Sequence, residues 1–265
     1  MNFYLRVCFF FLILFCSTNV NSKEEQINLT YKIQWGNLVL GEAIAKWKFK
    51  ENKLTLKGKT FSVGAISTFS NFESKVHLEG IKHNDEWFPK LLEISSITKD
   101  GKKYSKVFWD KNRNVVRTTR IPDINLKKVY PINKEHFLNT IDPWSAMLQA
   151  LKLLKETNSC KSSFNIYDGR RTAILYFEDL ELVNLQKDRP WSYSGKTKVC
   201  GMLSKSTGGH LIKSKWRKKN STFSDVKIYL AEMNTSFLIP VRIEVKTFLG
   251  KIIARLKLSK NLLTQ

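Results

Sequence analysis

A chain of 265 residues with 42% apolar and 12% aromatic side chains can bury a sizeable core, which excludes a disordered polymer. Its 45 basic against 23 acidic residues give a formal charge of +22, and such a surface favours anionic partners: acidic lipid headgroups, polyanionic glycans or nucleic acid. Lysine is nevertheless spread along the whole length, as in proteins from AT-rich genomes, and a generally basic surface need not bind anything.

The N-terminus narrows the choice. Met1 to Arg6 carries one positive charge, Val7 to Cys16 is an apolar core and Ser17 to Ser22 is polar. This is the pattern of a secretory signal peptide over residues 1–22, with cleavage expected after Ser22. The apolar core is roughly half as long as a membrane-spanning helix requires. A lipoprotein signal at Cys16 is disfavoured by Phe15, because processing wants a small residue there. Export removes the protein from nucleic acid, and residues 23–265 are expected to form a single β-rich domain.

Period-two alternation then recurs. Ile27, Leu29, Tyr31, Ile33 and Trp35 share one face of a first strand, with Asn28, Thr30, Lys32 and Gln34 on the other. After Gly36-Asn37, Val39 to Phe49 alternates again, and its small residues Gly41, Ala43 and Ala45 predict a bend or the close approach of another backbone. Glu51-Asn52 turns into a third strand carrying Leu54, Leu56 and Gly58. Residues 63–71 break the pattern and are expected to be helical or irregular. Strands resume over Phe72 to Gly80, Leu91 to Thr98, Lys103 to Trp109 and Val115 to Arg120, with Asp100-Gly101 as a hairpin turn. Pro122 and Pro131 bracket a loop.

One helix is clearly marked. Asp142 is a good N-cap, Pro143 suits the first helical position, and Trp144, Met147, Leu148, Leu151 and Leu154 recur at helical spacing. The helix is expected to stop near Thr157-Asn158 and to pack against a sheet. Beyond it, strands are predicted over Phe164 to Tyr167, Thr172 to Val183, Trp191 to Cys200, Leu211 to Asn220, Phe223 to Glu232, Leu238 to Phe248 and Lys251 to Leu258. Gly201 to His210 is expected to be a connection. About twelve to fourteen strands on both sides of a single helix argue for a mainly β protein: a large curved antiparallel sheet forming a barrel or half-barrel, with the helix packed on or in it. A two-sheet sandwich is the runner-up.

Loss of the leader removes Cys8 and Cys16 and leaves Cys160 and Cys200. In an oxidising compartment an isolated pair is expected to be a disulfide, since neither the Cys-x-x-Cys turn of a redox site nor two further metal ligands at suitable spacing are present. The four histidines, His77, His83, His136 and His210, lie in separate segments without metal-ligand spacing. Neither a Gly-x-Ser-x-Gly elbow nor a His-Glu-x-x-His helix occurs, so no catalytic residue, metal or cofactor is assigned.

Three surfaces remain as candidates. Asp168, Arg170 and Arg171 in the turn Tyr167-Asp168-Gly169-Arg170-Arg171 have the forks to hold an anion, although the same residues also suit a plain hairpin turn. Lys213, Lys215, Arg217 and Lys219 share one face of the predicted strand Leu211 to Asn220, where they would rest on an anionic membrane or another polyanion, or simply be solvated. Trp35, Trp47 and Phe49 on the sheet, with Trp144 and Met147 on the helix, are the candidate lining of an apolar cavity.

Asp142-Pro143 heading a helix, Cys160, the Asp168-Gly169-Arg170-Arg171 turn and Cys200, with Gly36 and Gly41 in the first hairpin, resemble the bacterial domain-of-unknown-function family 3108 over roughly Ile27 to Leu258. The resemblance implies β structure and export from a Gram-negative cytoplasm into the periplasm, and no reaction. More distantly the architecture is similar to envelope carriers of the LolA/LolB type, a likeness of fold only. The expectation is a non-enzymatic envelope protein, soluble or peripherally associated, whose concave β face holds a lipid or acyl chain or docks an envelope protein partner. The alternative is an enzyme, such as a hydrolase, that acts on an anionic envelope polymer, with Asp168 and one arginine in its site.

Overall fold

The computed structural model describes residues 24–64, 67–68, 71–213, 221–248 and 250–258. The expected leader and cleavage point, and part of the irregular segment 63–71, lie outside the described residues. Seven strands come first: β1 (Glu25–Trp35), β2 (Leu38–Lys50), β3 (Lys53–Ser62), β4 (Glu73–His83), β5 (Glu86–Thr98), β6 (Gly101–Trp109) and β7 (Val115–Ile121). After the helix α1 (Pro143–Thr157) come β8 (Ser162–Tyr167), β9 (Thr172–Leu185), β10 (Gly195–Gly208), β11 (Val226–Ala231), β12 (Ile239–Thr247) and β13 (Gly250–Leu256). All thirteen lie in one sheet in the order β7-β6-β5-β4-β3-β2-β1-β13-β12-β11-β10-β9-β8. The large antiparallel sheet with one helix is therefore the architecture, and the two-sheet alternative is not.

Register turns the sequence alternation into one buried face. Ile27 stands opposite Trp47, Trp47 opposite Leu56, Leu56 opposite Leu78, Leu78 opposite Leu92 and Leu92 opposite Val107. This row crosses six strands, and all of it except the half-buried Trp47 is buried. Gly41 is where the sheet needs a missing side chain: a Cβ there would meet the Phe61 carbonyl oxygen at 2.5 Å, next to a register shift between Ile33 and Gln34.

The helix forms where its cap residues place it. The Asp142 carboxylate accepts from the backbone N–H groups of Trp144 and Ser145, and Asn158 ends the helix in the left-handed conformation with its N–H on Leu154 O. Leu148 packs into the main core with Tyr167 and Trp109, while Ala146, Ala150, Leu151 and Leu154 pack into a second cluster with Phe177, Ile228 and Leu230. Gln149 is buried and donates to the Trp87 carbonyl at 2.7 Å. The Cys160–Cys200 disulfide joins the segment after the helix to the middle of β10, with Cα atoms 5.8 Å apart.

Several boundaries differ from expectation; β11, for one, begins at Val226, after a 3-10 turn over Phe223–Asp225. β10 does not run from Trp191 to Cys200 but from Gly195 to Gly208, so Gly201 is a strand interior and not part of a connection. A Cβ on Gly201 would sit 2.7 Å from the Phe223 carbonyl oxygen, so this glycine admits a crossing backbone without breaking the strand. Residues 186–194 instead form a connection folded over the outer face, where Leu258 N–H reaches Trp191 O. β5 begins at Glu86, five residues before the predicted Leu91, because Asn84 and Asp85 adopt positive φ and turn the chain there.

The ends of the sheet, β7 and β8, do not pair, and two links span the seam between them. In the first, Asn139–Ile141 is stitched to both sides: Thr140 N–H donates to Arg113 O, Ile141 N–H to Asn165 O, and Tyr167 N–H to Ile141 O. The second is the turn after β8. Arg120 of β7 donates to Gly169 O at 2.7 Å and to the Tyr167 hydroxyl at 2.6 Å, and Arg170 donates to the carbonyls of Ile121 and Pro122 at 3.0 and 2.8 Å. Gly169 has a φ of +91°, and a Cβ on it would lie 2.7 Å from Ser105 Cβ, so only glycine lets this turn dock on β6.

Arg170→Ala is expected to lower stability by about 1.5–3 kcal/mol, the worth of hydrogen bonds from a charged donor. Urea unfolding measures the loss, and hydrogen exchange of β7 and β8 amides should quicken before the rest of the sheet. Unchanged exchange at the seam would remove the arginine from its role there.

Candidate functional site

The residues singled out from the sequence do not converge. Asp168 Oδ1 accepts from the N–H groups of Arg170 and Arg171, and its Oδ2 accepts from Arg171 Nε at 3.1 Å. The carboxylate thus shapes its own turn, and the Arg170 fork is spent on backbone carbonyls. The aromatic set is dispersed as well. Phe49 is buried in a ring cluster, with centroids 4.6 Å from Phe237 and 5.5 Å from Trp87, and Trp47 stacks on it at 6.2 Å. Trp144 packs against that same core, and Met147 against the cluster around the disulfide. Trp35, at the last position of β1, is 42% exposed.

The concave face is thus filled where these residues meet it. The apolar crevice beside Met147, Phe177 and the disulfide holds only about 10 Å³, no more than one water. Lys213 is exposed in a bend after the Val129–Leu211 bridge, not in a strand, while Lys215, Arg217 and Lys219 lie outside the described residues.

A larger space opens at the seam, a cleft of about 280 Å³. Glu86 at the start of β5 and Arg113 in the β6–β7 turn form one wall, and Ser163, Phe164 and Asn165 of β8 form the other. Asn139 and Ile141 of the first link, with Gln149, Lys152 and Leu153 of α1, complete it. Five separate segments thus meet there because the sheet stops short of closing.

Its polar groups differ in how they are held. Arg113 has a φ of +64° in a turn fixed by Asp110, whose Oδ1 accepts from Asn112 and Asn114 N–H groups. Its guanidinium lies 5.0 Å from the Phe88 ring centroid and touches Glu86 through one contact of 3.3 Å. Lys152 is bound more firmly, 2.7 Å from Asp85 and 3.3 Å from Glu156, and these partners, Asp85 first, hold its ammonium above the usual range. Asp85 in turn is brought down to about 2 by hydrogen bonds from Lys152 and Lys82. Among the described residues, no hydrogen bond uses the side-chain amides of Asn139 and Asn165 or the Ser163 hydroxyl.

At the back of the seam Asp142 is fully buried, and one of its carboxylate oxygens, Oδ2, has no partner among the described residues. Burial pushes this carboxyl up, against the hydrogen bonds from Ser145 and Trp144 that favour its ionised form. An acid with a raised folded pKa costs stability as the pH climbs from the ordinary carboxylate value of about 3.9 through the folded one. Asp142→Asn, which keeps a cap acceptor, should therefore gain on the natural chain as the pH rises from 3.5 to 7 in urea unfolding. A pH-independent gap would show that the buried acid carries no such cost. Asp142→Ala, which also lacks the buried acid, should follow the same pH trend but stay about 1 kcal/mol below Asp142→Asn for the lost cap.

A second polar cluster has no counterpart among the sequence expectations. On the outer face, Asp188 receives Arg255 Nη2 at 2.7 Å and Arg242 Nη1 at 3.1 Å, while Arg242 Nη2 reaches Glu244 at 2.7 Å. Ser192 and Gln34 complete it, through Asp188 and Arg255 respectively. Burial and the adjacent Glu244 push the Tyr229 hydroxyl up to about 12. The available signal was charge at Arg242, Glu244 and Arg255 within otherwise apolar strands, which by itself also fits a solvated face.

The molecule belongs to the mainly β proteins built on one long curved sheet, with a polar cleft where the sheet fails to close. The chain is a member of the family described as protein of unknown function (DUF3108), whose model matches residues 30–257. No curated protein and no solved structure matches the chain, so the likeness to LolA/LolB-type carriers gains no support. No described helix is long and apolar enough to cross a membrane, which says nothing of crossing by strands. The disulfide is consistent with an exported protein.

Proposed function

We propose that the protein is an exported, non-catalytic binding module of the Gram-negative periplasm whose ligand is polar and sits in the seam cleft. The observation that carries this reading is the cleft itself: about 280 Å³, with two amides and a hydroxyl unused by the protein, beside a loosely held arginine. This revises the expected lipid or acyl-chain ligand, because an acyl chain would have to displace Phe49, Trp47 and Phe237 or force open a crevice of about 10 Å³. The enzymatic alternative is weakened because Asp168 is engaged in its own turn and lines no part of this cleft.

The test is chemical-shift mapping on the isotope-labelled mature chain, with small polar probes (sugars, amino acids, carboxylates) and a fluorescent fatty acid in parallel. Polar probes should shift the amides of Asn139, Ser163 and Asn165. Shifts confined to Met147, Phe177 and the disulfide, produced by the fatty acid, would return the ligand to the apolar side and overturn the proposal.

A further inference from the structure

Resting on the seam cleft as the binding site, we infer that its ligand is a saccharide bearing a single carboxylate. The argument starts from the edge strand. Asn165 O and Tyr167 N–H point away from β9, since both bond to Ile141. Alternation then turns the Ser163 N–H and C=O the same way, two residues further along an edge without a register shift. Among the described residues these two groups have no partner. Together with the amides of Asn139 and Asn165 and the Ser163 hydroxyl, they form a set in which donors and acceptors are mixed at close quarters. Sugar hydroxyls, each both donor and acceptor, match such a set better than an anion alone, which only accepts, or an ammonium, which only donates.

The charge follows from Arg113. Its planar fork lies against Phe88 and makes a single contact of 3.3 Å with Glu86, whose side chain is 48% exposed. A carboxylate on the ligand would take that fork in bidentate fashion and release Glu86 to solvent. Lys152 does not add a second free cation, because Asp85 and Glu156 already neutralise it. One cation held by a single carboxylate contact, beside a lysine already neutralised, favours a ligand of one negative charge over a phosphate of nearly two. A volume just below the usual range of roughly 300–1,000 Å³ for ligand pockets fits a sugar unit rather than a wrapped polymer.

A carboxylated sugar could come from a uronic-acid polymer or from the lactyl-ether amino sugar of the cell wall, and the probes separate them. The mature chain is titrated by calorimetry and chemical-shift mapping with galacturonic acid, with N-acetylglucosaminyl-N-acetylmuramic acid, with neutral N,N′-diacetylchitobiose and with sodium acetate. At least one acidic saccharide should bind at least about tenfold more tightly than chitobiose and acetate, and more weakly as salt is raised. Arg113→Gln should remove that preference, Glu86→Gln should increase it, and Asn165→Ala should weaken acidic and neutral sugars alike. Chitobiose binding as tightly as the acids, or a preference that survives Arg113→Gln, would overturn the acidic class while leaving the cleft as a polar site. Binding of non-sugar polar probes alone would overturn the saccharide. Silence of the cleft toward every probe would overturn both this inference and the binding function it rests on.

Discussion

Asp188→Ala is expected to cost about 3 kcal/mol, the low end of what is lost when one member of a buried ion pair is removed. The low end applies because the Asp188 side chain is 31% exposed, whereas Arg255, which it neutralises, is only 7% exposed. Alanine would leave the Arg255 guanidinium under the 186–194 connection with Gln34, at 3.2 Å, as its one polar side-chain partner among the described residues. In a chain of this size the loss corresponds to a fall of about 6–12 °C in Tm.

The pH dependence gives a second readout of the same cluster. Burial raises the Asp188 carboxyl, but Arg255 and then Arg242 outweigh it, so the net position is below the usual carboxylate range. A depressed folded pKa supplies stability above the unfolded value of about 3.9 and loses it as the pH falls through the folded one. The natural chain should therefore lose its advantage over Asp188→Ala on acidification below about pH 4. Urea midpoints for both chains between pH 2.5 and 7 measure it. A constant difference across that range would show that the ion pairs contribute nothing, and that the cost is one of packing.

Opening the disulfide is the other large effect. Cys160 and Cys200 are 40 residues apart, and closing a loop of that length restricts the unfolded chain by about 4 kcal/mol in the entropy model. Both cysteines are buried, among Leu151, Leu154, Phe177, Ile228 and Leu230. Serine at either position would add an unsatisfied hydroxyl to an apolar site, so Cys160→Ser should be worse than the paired Cys160→Ala, Cys200→Ala variant. Denaturant unfolding of the oxidised and reduced chains gives the size of the effect, and thiol titration of the denatured, unreduced mature chain should find no free cysteine. Two free thiols would mean that the bond does not form.

Much of the architecture was legible because its signals are local. Alternation in Ile27 to Ile33 identifies a strand whatever it pairs with, and Asp142-Pro143 marks a helix start through its own cap. The failures have physical causes. Gly201 reads in sequence as the start of a connection, but a glycine inside a strand is equally the space for a neighbouring backbone, here that of Phe223. Trp35 continued the apolar face in sequence and yet lies at the strand end, beyond the packed interior. Arg170 looked available because no sequence pattern says that the far end of the sheet would bring the carbonyls of Ile121 and Pro122 to it.

Hydrophobic period, caps, turn residues and the cysteine count determined from the sequence alone that this would be a long antiparallel sheet with one capped helix and one disulfide. These are properties of neighbouring residues, and their physics does not depend on distant chain. The tertiary structure decided the rest: that the sheet stops short of closing, that the Asp168–Arg171 turn spans the gap, and that Asp188 reaches Arg255 across 67 residues. It also decided that residues between Glu86 and Asn165 gather around one polar cleft. Such contacts are set by register and by how far the sheet curls, which are sums over every strand and are written in no single stretch of the chain.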